Sequence, residues 1–274
     1  MKTLFVTDLD GTLLTKEGRI PTYSVERLNR MIEAGMTFTF ATARSHSSAM
    51  RAVEGLLLRA PVVLYNGGII HDCGTGRTLF HSMFSTEEKW YILGVLQKFG
   101  IEPMVFGASA AGKERVAWLA NRESVGVQRY LAYRRGDVRL GAVASEGELL
   151  EGHVFNFKCI GPQEQLERAW NDLKLDDRFI CIFHQETYQN DFWIEISPRV
   201  ATKANGVRFL KNYLGCDRAV CFGDSSNDSD MFDVCDEKYA VMNADKWLKD
   251  KATGVVGYCE EDGVAKWLEQ HSGF

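Results

Sequence analysis

Residues 4–12, near the N-terminus, have the sequence Leu-Phe-Val-Thr-Asp-Leu-Asp-Gly-Thr. The apolar run ends abruptly at two aspartates, and Gly11 then permits a tight turn. Such a short, continuous apolar run is typical of a strand that is buried on both faces of a parallel sheet. The pattern recurs at residues 37–41, 62–65 and 219–222, and polar residues follow each run. The four runs predict four strands of a parallel sheet.

Helical patterns lie between these predicted strands. Val25, Leu28, Met31 and Ile32 recur at helical spacing, and Gly35 stands where a helix commonly ends. A second helix is predicted over about residues 203–213. Strands that alternate with helices predict an α/β fold whose core is a Rossmann-like, doubly wound parallel sheet.

The middle of the chain has a different pattern, in which strands follow one another without an intervening helix. This favours antiparallel pairing and an α+β unit. We therefore expect residues 82–190 to form an inserted α+β domain, and residues 1–81 and 191–274 to form the core. The pattern predicts helices near residues 86–99, 122–133 and 162–173, and strands near residues 104–106, 116–119, 153–160, 179–184 and 191–197.

The charge balance excludes some classes of protein. Lys and Arg number 32 and Asp and Glu 37, so the net charge of −5 argues against a generally basic nucleic-acid binder. No apolar run approaches the roughly 20 residues of a membrane span, and the N-terminus does not resemble a signal peptide. We therefore expect a cytoplasmic protein that binds neither nucleic acid nor membrane. One local basic group fits a solvated face or, alternatively, a pocket for an anionic substrate: Arg129, Arg134, Arg135 and Arg139.

Several metal and nucleotide motifs are absent from the sequence. Neither Asp8 nor Asp224 begins an EF-hand loop, and no P-loop pattern occurs. The seven cysteines form no C-x-x-C pair, so reduced thiols are the expectation. The six histidines show no metal-ligand spacing, and we expect each to be structural.

Polar side chains follow each predicted strand. Because ligands bind at the carboxyl ends of strands in open parallel sheets, these side chains should converge on one edge. Carboxylates gathered there repel one another unless a cation neutralises them. Oxygen ligands favour a hard ion, and Mg²⁺ is the expected ion for phosphate chemistry. The residues concerned are Asp8, Asp10, Thr42, Arg44, Asn66, Asp224, Asn227 and Asp228.

The turn at Asp8-Leu9-Asp10-Gly11 is the sharpest chemical feature. It can direct both carboxylates at one substrate, one as nucleophile and the other as proton carrier, and its backbone N–H groups can contact a phosphoryl group. The alternative is an ordinary Asp-Gly turn whose carboxylates are solvated.

Four segments, in order, resemble the motifs of the haloacid dehalogenase superfamily of phosphatases. The Cof-type subgroup, which carries a large α/β cap between the second and third motifs, is the most similar. The segments are Asp8-Leu-Asp-Gly-Thr12, Ala41-Thr-Ala-Arg44, Lys203 at a predicted helix start, and Gly223-Asp-Ser-Ser-Asn-Asp228.

The resemblance extends over the whole chain. The Asn66-Gly67 turn and the segments at residues 241–244 and 261–265 resemble further signatures of the subgroup. Two positions depart from the pattern: Ala43 and Ala204 stand where the family often has glycine. Both are small substitutions that leave the chemical groups in place.

The resemblance implies a mechanism for these residues. Asp8 attacks phosphorus and becomes an aspartyl phosphate. Asp10 protonates the leaving alkoxide and then activates the hydrolytic water. Thr42 and Lys203 bind the phosphoryl oxygens.

The resemblance also implies the ligands of the metal and the substrate. Mg²⁺ is held by Asp8, the backbone carbonyl of Asp10, and Asp224. Asp228, with Asn227, orients these ligands or Lys203. The expected substrate contacts are Leu9, Arg44, Asn66, Gly67 and Asn227.

The expected function is Mg²⁺-dependent hydrolysis of a small phosphorylated metabolite, either a sugar phosphate or a phosphorylated cofactor. The inserted domain would act as a cap that excludes water and selects the leaving group. A phosphomutase with the same nucleophile is an open alternative, and so is a ligand-binding module on an inactive scaffold. The expected partner is a small phosphate ester, and the expected state is a monomer or a small homo-oligomer.

Overall fold

A computed structural model describes residues 1–109, 112–185 and 191–274. The chain divides into two units. Met1–Phe80 and Val200–Phe274 together form the first, which we call the core unit. His81–Arg199 form the second, which we call the inserted unit.

Helices and strands follow one another along three parts of the chain. The first part contains β1 (Thr3–Thr7), α1 (Thr22–Glu33), β2 (Thr37–Phe40), α2 (His46–Ala52), β3 (Val62–Leu64), β4 (Ile69–Asp72) and β5 (Arg77–His81). The middle contains α3 (Thr86–Lys98), β6 (Met104–Ala108), β7 (Glu114–Leu119), α4 (Val125–Tyr133), β8 (Leu140–Val143), α5 (Glu146–Leu149), β9 (His153–Gly161), α6 (Gln163–Leu173), β10 (Phe179–Gln185) and β11 (Phe192–Pro198). The last part contains α7 (Lys203–Tyr213), β12 (Arg218–Gly223), α8 (Ser229–Val234), β13 (Glu237–Val241), α9 (Lys246–Lys251), β14 (Gly254–Val256) and α10 (Gly263–His271).

A five-stranded parallel sheet organises the core unit, in the order β14-β13-β12-β1-β2. The central strands β1 and β12 are buried along almost their whole length, which explains their continuous apolar sequence. The chain leaves β1 for β2 on one side, and β12 lies on the other side. The strand order therefore reverses between β1 and β12, where α/β sheets commonly bind ligands. The predicted Rossmann-like core is confirmed.

The sequence predicts β3 as a fourth strand of this parallel sheet, but the structure places it in a different sheet. Among the described residues, one isolated parallel bridge, between Ala41 and Val63, joins it to the segment after β2. Its ladder partner is the antiparallel β4, in a three-stranded sheet of order β3-β4-β5. Asn66 and Gly67 take positive φ values of 52° and 97°, and this turn reverses the chain. An apolar run specifies a buried strand but does not specify which strand pairs with it.

Two helices of the core unit begin and end close to their predicted positions. In α1, Leu28 and Met31 are buried, and Gly35 follows the helix with φ of 110°. The helix α7 begins after Thr202, whose side chain accepts a hydrogen bond from the N–H of Asn205. This cap places Lys203 at the first position of the helix.

The inserted unit contains a six-stranded sheet in the order β10-β11-β9-β6-β7-β8. Its neighbouring strands are antiparallel except for the parallel pair β7–β8. Residues of α3 and α6 share a buried apolar cluster with this sheet, including Leu93, Phe157 and Leu166. The α+β character of the insertion is confirmed. Because β11 pairs with β9 and β10, the unit extends to Arg199, beyond the expected boundary at residue 190.

Within the inserted unit, other side chains contact three arginines of the basic group at residues 129–139. Two of its arginines form ion pairs, and a third stacks on an aromatic ring, which favours a structural face over an anion pocket. The contacts are Arg129 with Asp191, Arg139 with Asp137 (2.6 Å) and Glu114 (3.1 Å), and Arg134 over Tyr130 (4.4 Å to the ring centroid).

Two further structural facts concern the helices and the cysteines. Throughout the described ranges, the helices are either too short or too polar to cross a membrane. All seven cysteines are free thiols.

Candidate active site

Three carboxylates meet at the carboxyl ends of β1 and β12. The N–H of Asp8 donates to the carbonyl of Phe222 at 2.9 Å, which continues the pairing of the two strands. One carboxylate oxygen from each of Asp8, Asp224 and Asp228 lies within 4.8 Å of the others. Asp8 and Asp228 are buried, and Asp224 is half-buried. The site therefore concentrates negative charge where water is scarce.

Lys203 is the counter-charge of this cluster. Its Nζ donates to Asp8 Oδ1 at 2.5 Å and to Asp228 Oδ1 at 2.7 Å. The side chain has no exposed surface. An isolated buried ammonium would be strongly unfavourable, and the two carboxylates compensate for its desolvation. Lys203 is therefore a buried counter-ion and not a solvated surface lysine.

Asp228 also fixes the loop that carries Asp224. Its Oδ2 accepts hydrogen bonds from the N–H of Asp224 at 2.9 Å and of Ser225 at 3.2 Å. A Cβ at Gly223 would lie 2.6 Å from the same oxygen, so only glycine permits this approach. Asp228 thus links the position of Lys203 to that of Asp224.

The turn after β1 packs directly against Asp224. Gly11 has φ of 75°, and a Cβ there would stand 2.4 Å from Asp224 Oδ2. Thr12 Oγ1 donates to Asp224 Oδ1 at 3.4 Å. Asn243 Nδ2 donates to the carbonyl of Gly11 at 2.7 Å, and its Oδ1 accepts from the N–H of Cys259 at 3.1 Å.

Sequence reasoning missed this role of Asn243. The residue lies within the segment 241–244, which matches a family signature, but the signature gave no indication of its partner. The two hydrogen bonds identify it as a residue that positions the Asp8–Gly11 turn.

Burial and mutual repulsion perturb the charges of this cluster. Burial, together with Asp228 and Asp224, raises the pKa of Asp8 to about 8, even though Lys203 lowers it. Burial and then Asp228 raise the pKa of Asp224 to about 6. Burial disfavours the charge of Lys203, but Asp8 and Asp228 outweigh that effect and hold its pKa above the ordinary value.

The donor set fits a hard divalent cation. All three groups offer oxygen, which Mg²⁺ prefers, and their separation allows a shared ion. Three carboxylates and one ammonium leave a charge of −2 when all are ionised. A divalent cation would neutralise that charge and favour the ionised forms of Asp8 and Asp224.

Asp10 lies apart from the three-carboxylate cluster and pairs with Arg44. The guanidinium donates from Nε to Asp10 Oδ2 at 2.7 Å and from Nη2 to Oδ1 at 2.5 Å. These hydrogen bonds raise the pKa of Arg44 above its ordinary value, although burial opposes the shift. The side chain of Asp10 is 56% exposed, so it is accessible to a solute. The bidentate pair holds Asp10 and Arg44 together beside the site.

Thr42 and Asn66 are adjacent through backbone hydrogen bonds. The N–H of Asn66 donates to the carbonyl of Thr42 at 2.8 Å, and the N–H of Thr42 donates to Val63 at 2.9 Å. The Oδ1 atom of Asn66 is buried and finds no hydrogen-bond partner among the residues that the structure describes. A buried, unsatisfied amide oxygen is unfavourable in the absence of a ligand.

The other three predicted substrate contacts have distinct surroundings. A Cβ at Gly67 would lie 2.1 Å from the carbonyl oxygen of Thr202, so this glycine lets the turn after β3 touch the start of α7. Leu9 is fully buried. Asn227 Oδ1 accepts from Ser225 Oγ at 2.9 Å.

Comparison with known proteins identifies the family of this chain. The family model of the haloacid dehalogenase-like hydrolases matches residues 5–268. The 5-amino-6-(5-phospho-D-ribitylamino)uracil phosphatase YwtE of Bacillus subtilis is 26% identical over 96% of this chain and 96% of its own. The HMP-PP phosphatase of Serratia proteamaculans is 24% identical over 96% of this chain and 92% of its own. A solved haloacid dehalogenase-like hydrolase from B. subtilis, 24% identical, has the same fold with a TM-score of 0.75 over 99% of both chains.

The chain belongs to the haloacid dehalogenase-like hydrolases. This confirms the family that the four ordered motifs indicated. The predicted class, a phosphoric monoester hydrolase, is confirmed by the family together with its phosphatase relatives.

Proposed function

We propose that this hydrolase is a Mg²⁺-dependent phosphatase that acts on a small phosphorylated metabolite through an aspartyl phosphate on Asp8. The observation that carries the proposal is the buried contact of Lys203 with Asp8 and Asp228, beside Asp224. Two relatives along the whole chain are phosphatases, and one is named for a phosphorylated ribitylamino-uracil. Those names support a sugar phosphate or a phosphorylated cofactor as the substrate class.

Asp8 acts as the nucleophile in this proposal. Lys203 holds one of its oxygens at 2.5 Å and so fixes the orientation of the carboxylate. Attack by Asp8 forms a P–O bond and breaks the ester P–O bond, and the leaving alkoxide takes a proton from Asp10. Asp10 then accepts a proton from water, which attacks phosphorus and regenerates Asp8. Both steps use groups that lie on one short turn.

In this proposal, Arg44 determines when Asp10 can act as a proton donor. The two are in a bidentate pair, and an acid must carry a proton before it can donate one. A phosphate ester is itself a bidentate acceptor for a guanidinium. We infer that Arg44 exchanges Asp10 for the substrate phosphate, which leaves Asp10 free to take up a proton.

Asp8 and Asp224, with the backbone carbonyl of Asp10, would hold the Mg²⁺ ion, and Asp228 would position them. The bound ion supplies neutralisation of charge on the phosphoryl oxygens. Thr42 and Lys203 contribute hydrogen bonds to the same oxygens. Asn66, whose Oδ1 is buried without a partner in the described part of the chain, is suited to accept a hydrogen bond from a substrate hydroxyl.

The inserted unit, residues 81–199, is proposed to act as the cap that selects the leaving group. Its own sheet and apolar cluster support this role, because it folds around a core separate from that of the nucleophile. Assays with a panel of phosphorylated metabolites would identify the substrate that the inserted unit selects.

A phosphate-release screen tests the proposal. Purified protein is incubated with a panel of phosphorylated metabolites and Mg²⁺, and free phosphate is measured. We expect release from at least one sugar phosphate or phosphorylated cofactor. Conversion to an isomeric phosphate without release would identify a phosphomutase instead.

Asp8→Asn is the matched control, since it keeps the shape of the side chain and removes its nucleophilicity. Phosphate release at the wild-type level in Asp8→Asn, purified in the same way, would contradict the role of Asp8 as nucleophile. Binding of phosphorylated ligands with no turnover under any condition would favour the inactive-scaffold alternative.

A further inference from the structure

A second group of ligand atoms lies in the core unit, outside the candidate active site. One ligand atom from each of His46, His71 and Cys73 lies within 4.8 Å of the others. The two imidazole rings are in edge contact, with centroids 4.5 Å apart and planes at 61°. All three residues are half-buried. We call this group the His–Cys cluster.

Two elements build the cluster. His46 and Met50 are four residues apart on α2 and so share one face of the helix. His71 lies in β4, and Cys73 directly follows Asp72, the last residue of that strand. Cys73 Sγ lies 4.0 Å from Met50 Sδ, so the end of β4 packs against this face of α2. The two pairs are far apart in sequence, and this is why no linear metal motif was visible.

The chemistry of the cluster is that of a soft or borderline metal site. Imidazole nitrogen and thiolate sulfur suit Zn²⁺ and Cu⁺, and a thioether adds preference for Cu⁺. Metal–ligand bonds of about 2.0–2.3 Å place tetrahedral ligand atoms roughly 3.3–3.8 Å apart. The cluster needs only a small contraction from its separation of at most 4.8 Å to reach that spacing.

The carboxylate that lies between His71 and Cys73 in the chain is engaged elsewhere. Asp72 accepts hydrogen bonds from the N–H of Gly74 at 2.9 Å and from Thr75 Oγ1 at 2.8 Å, within the turn between β4 and β5. The cluster therefore offers nitrogen and sulfur, whereas the active-site cluster offers oxygen. The two clusters select different classes of ion.

We propose that His46, His71 and Cys73 bind one d¹⁰ metal ion, Zn²⁺ or Cu⁺, and that the thioether of Met50 completes the site when the ion is Cu⁺. Binding breaks the S–H bond of Cys73, forms a metal–sulfur bond and releases the proton to solvent. Burial raises the pKa of this thiol to about 11, so the metal-free thiol is protonated at neutral pH. The proposal does not depend on the proposed function, because it uses no active-site residue.

Cobalt substitution tests the site without an activity assay. Metal-free, reduced protein is titrated with Co²⁺, and the thiolate-to-cobalt charge-transfer absorption is recorded. We expect this band to saturate at one equivalent and to be displaced by Zn²⁺. The oxygen ligands of the active-site cluster cannot produce it, so any Co²⁺ bound there does not interfere.

Variants assign the ligands. Cys73→Ser should abolish the band, and His46→Gln and His71→Gln should each weaken Zn²⁺ binding by more than about 100-fold, since even an outer-shell partner is worth roughly 10- to 100-fold. Circular dichroism checks that each variant is folded. Cys216→Ser is the matched control, because Cys216 is a free thiol of the same unit that joins no three-ligand group within the described residues.

Met50→Leu, which conserves volume, separates the two ions. A loss of Cu⁺ affinity, measured against a Cu⁺-specific chelator with Zn²⁺ affinity unchanged, supports the Cu⁺ form. Unchanged affinity for both ions supports the three-ligand Zn²⁺ form. The proposal is overturned if folded wild-type protein gives no band, or if the band survives in Cys73→Ser.

Discussion

The ammonium of Lys203 lies 2.5 Å from Asp8 Oδ1 and 2.7 Å from Asp228 Oδ1, with no exposed surface. Replacing it by methionine leaves two buried carboxylates without their counter-charge. Breaking a buried ion pair in this way costs about 3–5 kcal/mol. We predict that Lys203→Met lowers the free energy of unfolding by about this amount in urea titrations and abolishes phosphate release.

Lys211 provides the control on the same helix. Its Nζ lies 3.2 Å from Asp236, but the two side chains are 28% and 47% exposed. Surface pairs of this kind contribute about 0–1 kcal/mol, so Lys211→Met should change neither stability nor turnover appreciably. Equal effects of the two substitutions would contradict the special role given to Lys203.

A pH-dependent contribution to stability comes from His81. Its ring stacks on that of His153 with centroids 5.6 Å apart, and its Nδ1 is buried without a hydrogen-bond partner among the residues described. Burial, and then the charge of His153, lowers the pKa of His81 below its ordinary value. The unfolded chain therefore binds this proton more readily than the folded chain, and acid favours unfolding.

We predict that the wild type loses stability relative to His81→Gln as the pH falls from about 7 to about 5, because the histidine gains a proton more easily on unfolding. The difference should be constant above the ordinary histidine pKa. Thermal unfolding of both proteins across this range measures it. A difference that does not change with pH would show that His81 has an ordinary pKa.

At the scale of elements, the start of α7 depends on the turn after β3. Gly67 has φ of 97°, and a Cβ there would stand 2.1 Å from the carbonyl oxygen of Thr202. Gly67→Ala should therefore displace the residue that caps α7 and, with it, Lys203. We predict a loss of roughly 1–3 kcal/mol from backbone strain and a fall in kcat on the order of 10²-fold.

Gly94→Ala is the matched control in α3. Among the described residues, no heavy atom lies within 4 Å of the place where its Cβ would stand, outside the helix's own nearby backbone. Alanine in a helix interior should stabilise the protein by about 0.5–1 kcal/mol. Unfolding titrations and phosphate release distinguish the two variants, and an unimpaired Gly67→Ala would refute the coupling between the turn and the helix.

The elements that could be predicted from sequence are those whose signals are local. The helix α7 has a capping Thr202 and an apolar face, and its predicted and observed limits agree. The strand β13 begins with Glu237 and Lys238, and β14 has only three residues, so neither offers a clear apolar run. The strand β3 pairs with β4, the next strand in the chain, but the apolar residues of β3 indicate burial and do not encode the partner.

The same division applies to the site. The rule that ligands bind at strand ends singled out Asp8 and Asp224, and the structure brings their oxygens together. The pairing of Lys203 with Asp8 spans 195 residues, so its geometry could not be read from spacing. The histidines were expected to be structural, and only the fold brings His46 close to His71.

At the scale of the whole molecule, a divalent cation should couple stability to activity. Three carboxylates close together weaken the fold unless a cation neutralises them. We predict that EDTA abolishes turnover, that Mg²⁺ restores it, and that Mg²⁺ raises the unfolding temperature. Binding at about 100 times Kd adds about 2.7 kcal/mol of stability.

Asp224→Asn is the control for this effect. Because this substitution removes the charge of one oxygen ligand, Mg²⁺ should raise the unfolding temperature of the variant much less than that of the wild type. Turnover that is undiminished in EDTA would contradict the metal assignment.

The central claim is that Asp8 accepts the phosphoryl group. In Asp10→Asn the nucleophile remains while the proton carrier that activates water is lost, so the phosphorylated enzyme should accumulate with a substrate whose leaving group needs no proton. Rapid acid quenching followed by peptide mass mapping locates the added HPO₃. We predict that the HPO₃ group lies on Asp8. We also predict that Asp8→Asn has a much lower turnover, because the loss of its nucleophile can lower the kcat of a hydrolase by on the order of 10⁶-fold. An HPO₃ group on Asp10 or Asp224, or full activity in Asp8→Asn, would contradict the account.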